Sequence, residues 1–155
     1  MRLTDILLAE CIQPKMAATD KPGAIAEMVD LVAAAGKLVD RDQMLRATLE
    51  REATRTTGIG NGLAIPHGKC AAVKELVMAI GKPAKPLDFD SIDGKPVRII
   101  IFLASPPDKT GPHIQALARI SRLMTDSKFR QDLERASASE EILQLIAACE
   151  EKLPG

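Results

Sequence analysis

Residues 97–104 read Val-Arg-Ile-Ile-Ile-Phe-Leu-Ala, and this stretch decides the fold class of the 155-residue chain. The five residues from Ile99 to Leu103 are all apolar, so a strand formed by them has no polar face. Such strands belong in the middle of a sheet that is covered on both sides. Residues 76–80 form a second apolar run of strand length, and residues 63–65 form a shorter run that Pro66 ends. The sequence therefore predicts strands at these three places.

Helical patterns precede the strands. Asp20 and Pro22 predict a helix start, and Gly36 predicts its end. Between them lies one apolar stripe at helical spacing, made of Ile25, Met28, Val29 and Val32. Asp40 and Gln43 have the spacing of a capping box that opens a second helix, ending near Glu52. Residues 3–8 predict a short helical turn.

Helical patterns also follow the central strand. Pro112 predicts the start of a helix whose buried face comprises Ile114, Leu117, Ile120 and Met124. Asp126, and then Ser137 or Ser139, predict the starts of two shorter helices. Intermixed helices and strands in one short chain predict an α/β or α+β domain.

Composition excludes several classes of function. Twenty-one basic and 21 acidic side chains give a formal charge of zero, which argues against a general nucleic-acid binder. The chain has no Trp and no Tyr, so a base-stacking platform is not expected either. No apolar run reaches membrane-spanning length, and no signal peptide opens the sequence, so a cytoplasmic location is expected. Three cysteines without close pairing fit a reducing compartment.

Both histidines fall at junctions between predicted elements. His67 follows the strand that Pro66 ends and precedes Gly68, so its ring is held stiffly yet stays reachable, as an imidazole nucleophile requires. His113 falls in the first turn of the helix that Pro112 begins, where free backbone N–H groups favour an anion. The glycine-rich residues 56–62 predict a shaped loop, not a helix, and such loops can offer amides to a phosphate.

Other interpretations compete with this one. A single loop histidine is more often an ordinary surface residue, and Arg51 next to Glu52 can simply pair on a solvated helix end. His67, Cys70 and His113 could ligate a metal, but no second close pair completes a set of four. A Cys–His hydrolase is also not favoured, because Cys70 lies neither in a nucleophile elbow nor at the start of a predicted helix. Thr56, Thr57 and Ser105 could bind phosphate, although caps and turns are the commoner use.

Residues 52–68 carry a longer pattern, which reads Glu52, six residues, Ile59-Gly60, two residues, and Leu63-Ala64-Ile65-Pro66-His67-Gly68. It resembles the phosphohistidine signature of the fructose–mannitol class of IIA domains in the bacterial sugar phosphotransferase system, which includes the nitrogen-regulatory IIA proteins. Arg51 lies 16 residues before His67, where the family carries an active-site arginine. His113 lies 46 residues after it, at the family's second histidine. The resemblance extends over nearly the whole chain.

The resemblance implies a phosphoryl relay in a single domain spanning residues 1–155, with a mixed central sheet flanked by helices. His67 would accept a phosphoryl group from the phosphorylated phosphocarrier protein HPr and pass it to a IIB domain. Arg51 would stabilise the moving charge and His113 would donate a hydrogen bond to it. The resemblance implies no metal, no cofactor and no nucleic acid, and contact with the membrane only through a IIC component.

Two roles share this chemistry: sugar uptake, and a nitrogen-regulatory role in which target proteins are bound according to phosphorylation state. Residues 111–117 favour the sugar branch. In either role a modest apolar docking patch near His67 is expected, with Leu63, Ile65 and the apolar residues after His113 as candidates.

Overall fold

The computed structural model describes residues 1–153, in which one six-stranded sheet is combined with five α-helices. A short 3-10 turn, Leu3–Asp5, precedes the first strand. The strands are β1 Leu7–Met16, β2 Gly58–Gly60, β3 Leu63–Ala64, β4 His67–Lys69, β5 Val77–Pro83 and β6 Ile99–Ser105. The helices are α1 Lys21–Ala34, α2 Arg41–Thr54, α3 Thr110–Met124, α4 Ser127–Arg135 and α5 Ser139–Glu150. The predicted α/β class with a mixed sheet is confirmed.

The sheet is built around β6, whose seven residues are all buried. Its strand order is β1-β5-β6-β3-β2, and β4 also pairs with β6. β5 runs antiparallel to β6, whereas β3 and β4 both run parallel to it. β3 pairs with the first residues of β6 and β4 with the last, so the two short strands follow one another along the same edge of β6.

Each face of the sheet is covered by its own apolar cluster, because the side chains of a strand alternate between the two faces. Ile101 and Leu103 point to the face that packs against α3, α4 and α5. Ile100 and Phe102 point to the opposite face, which packs against α1 and α2. Within residues 1–153, no helix has both the length and the apolar character needed to cross a membrane.

The predicted N-caps of α1 and α2 are confirmed, but the return bond from the Gln43 side chain that would complete a capping box is not formed in the described residues. Asp20 accepts a hydrogen bond from the Gly23 amide at 2.8 Å and so caps α1. Asp40 accepts one from the Gln43 amide at 3.0 Å and caps α2. Gly36, just past the end of α1, has a φ of +76°, which is the left-handed conformation that favours glycine. The stripe predicted for α1 is buried along its whole length.

β1 corrects the prediction for residues 3–8. The helical turn there ends at Asp5, and the chain then forms a ten-residue strand at the edge of the sheet. Its pairing with β5 contains register shifts, which remove the two-residue alternation that marks a strand in a sequence. Pro14 also lies within it, which is tolerated only where a strand has a free edge.

The glycine-rich residues also differ from the prediction of a loop. Gly58–Gly60 form β2, which pairs antiparallel with β3. Asn61 and Gly62 make the turn between them with φ values of 57° and 75°. The Gly58 amide is bonded to the Thr56 hydroxyl, and its carbonyl accepts from the Ile92 amide. Its backbone groups therefore hold the hairpin in place.

The buried face of α3 is rotated from the predicted one. Ile114 was expected in the core but is 60% exposed, whereas His113 is only 6% exposed. The buried face contains His113, Ala116, Ile120, Leu123 and Met124. The helix begins at Thr110, before Pro112, and its buried face includes His113.

Candidate functional site

The topology brings the two histidines together. Because β4 is parallel to β6, His67 pairs with Leu103 near the end of β6 where the chain turns toward α3. His113 lies in the opening turns of α3, just beyond that same end. The two rings meet edge to face, with centroids 5.1 Å apart and planes at 63°. His67 was expected in the corner after a strand but is the first residue of β4, whereas His113 lies in the first turns of a helix as predicted.

The ring of His67 is held in one orientation by its own backbone. Its Nδ1 lies 3.0 Å from the carbonyl oxygen of Ile65. A carbonyl can only accept a hydrogen bond, so Nδ1 carries the proton in this contact. In the neutral ring the other nitrogen, Nε2, then keeps its free lone pair.

Both histidines favour the neutral form. Burial lowers the pKa of His67, and the positive charges of Arg51 and Lys69 lower it further, while the Ile65 hydrogen bond and the Glu52 carboxylate oppose the shift. Burial lowers the pKa of His113 to about 4, with His67 and Lys69 adding to the effect. Because both pKa values are lowered, the two adjacent imidazoles are both neutral at pH 7.

The guanidinium of Arg51 stands at the C-terminal end of α2. Its Nη1 donates a hydrogen bond to the Arg55 carbonyl at 2.9 Å, which is a common use of a basic side chain in the last turn of a helix. Arg51 forms no ion pair within residues 1–153, so the alternative interpretation, in which it pairs with its acidic neighbours Glu50 and Glu52, does not hold. It lines the same cleft as His67.

That cleft has a volume of about 310 Å³ and combines basic, hydroxyl and apolar groups. The lining comprises Arg51, Arg55, Thr56, Thr57, Ile59, Ile65, His67, Ile92, Leu117 and Ser121. Ile59 and Ile92 are 43% and 65% exposed there, and Ile114 on α3 is 60% exposed. The candidates Leu63 and Ile65 are only 1% and 5% exposed. The accessible apolar surface near His67 therefore comes mainly from other residues than those two.

The three hydroxyl groups considered as phosphate ligands lie in different environments. Thr56 donates to the Phe89 carbonyl at 2.8 Å, and Thr57 donates to Glu52 at 2.6 Å, so both hydroxyls serve the local backbone and its supports. Ser105 is fully buried at the end of β6, and neither its hydroxyl nor Nδ1 of His113 finds a hydrogen-bond partner in the described chain.

The metal alternative gains no support from the arrangement of side chains. Across residues 1–153, no three His, Cys, Asp or Glu side chains come together in a way that could hold a metal ion. His67 and His113 are close, but Cys70 lies beyond β4 and packs against the cluster on the opposite face of the sheet.

Glu52 is a buried carboxylate that pairs with the partly buried Lys21, a contact that the sequence did not reveal. Glu52 opens the quoted pattern, but the pattern alone assigns it no task. In the structure it is 6% exposed, and its Oε2 lies 3.0 Å from Nζ of Lys21. Lys21 also lies over the Phe89 ring, 4.9 Å from its centre. The available signal in the sequence is that Glu52 opens the pattern directly after Arg51; its burial becomes known only from the structure.

Known proteins match this chain over most of its length. The family described as "Phosphoenolpyruvate-dependent sugar phosphotransferase system, EIIA 2" matches residues 5–149. A fructose-specific EIIABC component of the phosphotransferase system from Bacillus subtilis is 34% identical over 146 residues, which are 94% of this chain but only 23% of that protein. A nitrogen regulatory protein from Bradyrhizobium diazoefficiens is 32% identical over 149 residues, covering 95% of each chain.

A solved structure agrees with these sequence matches. The crystal structure of the nitrogen regulatory protein IIA-Ntr from Neisseria meningitidis has a TM-score of 0.87 with this chain. The two are 29% identical, and the match covers 93% of this chain and 98% of the other.

Proposed function

The chain belongs to the EIIA 2 family of the phosphoenolpyruvate-dependent sugar phosphotransferase system, and from this premise we propose that it is a phosphocarrier that uses His67 as its phosphoryl acceptor. The donor is the phosphorylated phosphocarrier protein HPr or a close equivalent. The acceptor is a IIB domain, and the relay operates in the cytoplasm. The contact between Nδ1 of His67 and the Ile65 carbonyl carries the proposal, because it leaves Nε2 free to act as the nucleophile.

The chemistry uses the atoms already described. The Nε2 lone pair of neutral His67 attacks the phosphorus of the donor's phosphohistidine, and the donor's P–N bond breaks as the new one forms. The Nδ1 proton stays on the ring, hydrogen-bonded to the Ile65 carbonyl at 3.0 Å. The passage to a IIB domain is the same displacement in reverse, with the acceptor's nucleophile attacking phosphorus and Nε2 recovering its lone pair.

Two neighbours serve the moving charge. Phosphoryl transfer depends mostly on in-line positioning and on stabilisation of the equatorial oxygens. Arg51 lines the cleft, and its planar fork of donors suits phosphate oxygens. His113 is neutral and donates one hydrogen bond from a ring 5.1 Å from that of His67. Once the phosphoryl group is in place, its negative charge raises the pKa of His113 and strengthens this bond.

The exposed isoleucines beside the cleft supply a docking surface for the donor and the acceptor. Ile59, Ile92 and Ile114 are each more than 40% exposed near the two histidines. A carrier must release each partner after transfer, so a small apolar patch fits better than a large permanent interface. The Bacillus subtilis relative is named for A, B and C components together, which supports a IIB domain as the acceptor.

A regulatory role is the second candidate. The nitrogen regulatory protein from Bradyrhizobium diazoefficiens covers 95% of both chains, and the Neisseria meningitidis structure covers 98% of its own chain. In that role the same His67 chemistry sets which target proteins are bound. The likeness to both branches leaves the class of downstream partner to experiment.

Labelling tests the proposal. The chain is incubated with labelled phosphoenolpyruvate, the general phosphotransferase of the system and HPr. The wild type should gain acid-labile, base-stable phosphate, whereas the His67→Ala variant should gain none. Equal labelling of the variant would show that His67 is not the acceptor.

A chase separates the two roles. Labelled wild type is mixed with a purified fructose-class IIB domain. Rapid movement of the label to the IIB domain supports the sugar role. Retention of the label, together with labelling by the nitrogen-branch donor in place of HPr, supports the regulatory role.

A further inference from the structure

We propose that Glu52 is a positioning residue for phosphoryl transfer: it ties the end of α2, which carries Arg51, to the backbone segment that orients the ring of His67. This inference rests on the proposed function, since it concerns how the same site is held in geometry for transfer. Glu52 is the first residue of the sequence pattern at residues 52–68, and the phosphoryl chemistry described above gives it no role.

Three contacts fix the Glu52 carboxylate in place. Oε2 accepts from the Thr57 amide at 2.7 Å, and Oε1 accepts from the Thr57 hydroxyl at 2.6 Å. Oε2 also meets Nζ of Lys21 at 3.0 Å. A carboxylate with two charge-assisted hydrogen bonds and a cation is strongly held, and the 5% exposure of its side chain keeps water from competing.

Two further hydrogen bonds connect Thr57 to the ring of His67. The Thr57 carbonyl accepts from the Ile65 amide at 3.0 Å. The Ile65 carbonyl in turn accepts from Nδ1 of His67 at 3.0 Å. The peptide groups on either side of Ile65 are thereby placed from Thr57, and Thr57 is placed from Glu52.

The contacts of Glu52 also fix the position of Arg51. It precedes Glu52 in the last turns of α2, so the helix presents one side chain inward to Thr57 and the next to the cleft. α2 also packs on β4, with Gly68 lying against Thr48 and Met44. Holding the helix end to Thr57 therefore fixes the position of the Arg51 stem relative to the ring of His67.

The charge of Glu52 also reaches the ring. The charged and titratable groups that act on His67 are Arg51 and Glu52 from α2, Lys69 from its own strand and His113 from α3. Among them, Glu52 is the anion, and it opposes the lowering of the His67 pKa. Replacement of Glu52 by glutamine removes this charge whatever the structural role of the residue, so the tautomer and the transfer rate are the readouts that separate a positioning residue from one that only supports folding.

The test compares Glu52→Gln with Glu50→Gln. Both remove one carboxylate from α2, but Glu50 is exposed and its side chain is not part of the network. Nitrogen-15 chemical shifts of His67 in the unphosphorylated protein report the tautomer and the pKa. Stopped-flow phosphorylation by phosphorylated HPr reports the rate of acceptance.

We expect the Glu52→Gln variant to have a lower His67 pKa than the wild type and a smaller fraction of the Nδ1–H tautomer. Its rate of acceptance should fall by about tenfold, the effect of weakening one hydrogen bond to a charged group. Glu50→Gln should match the wild type in all three. In an Arg51→Ala background the further loss from Glu52→Gln should shrink, because the two residues then no longer act as one unit.

A second pair keeps the test valid if Glu52→Gln is poorly folded. Thr57→Val removes the hydroxyl bonded to Glu52, whereas Thr57→Ser keeps it. The serine variant should transfer phosphate at a rate closer to the wild type than the valine variant does. Equal tautomer fractions and rates in Glu52→Gln and Glu50→Gln, or in the Thr57 pair, would overturn the inference. Failure of the wild type to be labelled at all would instead overturn the proposed function, since the tautomer readings need no donor.

Discussion

Acid should destabilise this protein through His113. The ring is 6% exposed in the folded chain, and burial holds its pKa at about 4, against an ordinary value of 6.5. The unfolded chain therefore binds a proton at a pH where the folded chain does not. Stability is full above the unfolded pKa and is lost as the pH falls below about 6.5, until the folded ring also titrates near 4.

The size of the effect follows from the two pKa values. Each pH unit between them is worth about 1.4 kcal/mol, so the whole shift corresponds to about 3 kcal/mol. At pH 5 the unfolded ring is almost fully protonated and the folded ring is mostly neutral, which gives about 2 kcal/mol relative to pH 7. Most carboxylates are still ionised at pH 5, so this loss is largely separate from general acid denaturation.

Urea unfolding at pH 7 and pH 5 measures the loss, with His113→Gln as the matched variant. Glutamine keeps a polar side chain at the position but does not titrate. Between the two pH values the wild type should lose about 2 kcal/mol more of its free energy of unfolding than the variant does. His67 also titrates and its ring touches that of His113, so the His67→Gln variant and the double variant complete a cycle that separates the two contributions. Equal losses would refute the buried, neutral state of His113 on which its role as a neutral donor depends.

Three further perturbations probe the surroundings of the site. Gly68→Ala places a methyl group 2.5 Å from the Thr48 hydroxyl, so it should lower the free energy of unfolding, measured in urea, by about 1–3 kcal/mol. In the control variant Gly111→Ala the added methyl group has no atom within 4 Å, so the free energy of unfolding should not fall. Equal effects of the two substitutions would contradict the close packing of α2 on β4. Ile92→Asp should raise the KM for phosphorylated HPr by about tenfold with unchanged thermal stability, because the side chain is 65% exposed beside the cleft; an unchanged KM in the kinetic assay would remove Ile92 from the docking surface. Arg51→Lys keeps the charge but loses the planar fork, so single-turnover phosphorylation should slow by about tenfold; a wild-type rate would mean that charge alone suffices there.

The sequence predicts the parts of this fold that local patterns encode. β6 is recognisable because its short run of five apolar residues, three of them β-branched, has the length and composition of a strand covered on both faces. α1 and α2 are recognisable because Asp20 and Asp40 cap them. β1 is not recognisable, because its irregular register erases the alternation and its hydrogen bonds go to β5, far along the chain. The strand β2 is short and rich in glycine, and only its pairing with β3 makes it a strand.

The candidate site also combines residues that local sequence predicts with contacts that only tertiary packing creates. His67 and His113 are predictable from Pro66, Gly68 and Pro112, which mark a strand end and a helix start. The pairing of Glu52 with Lys21 is not, because it joins the first residue of α1 to the last turn of α2 and depends on how the two helices pack. Which isoleucines face solvent likewise depends on tertiary packing: Ile65, a docking candidate, is buried, and Ile114 belongs to the predicted core stripe of α3 but is exposed, as the docking expectation required.

The most direct test of His67 as the nucleophile is to identify the nitrogen that carries the phosphoryl group. Two-dimensional nitrogen-15 and phosphorus-31 spectra of the phosphorylated, uniformly labelled protein distinguish the two nitrogens of each histidine ring. The structure predicts phosphorus bonded to Nε2 of His67, with Nδ1 still protonated against the Ile65 carbonyl 3.0 Å away. Phosphorus on Nδ1 of His67, or on either nitrogen of His113, would contradict it.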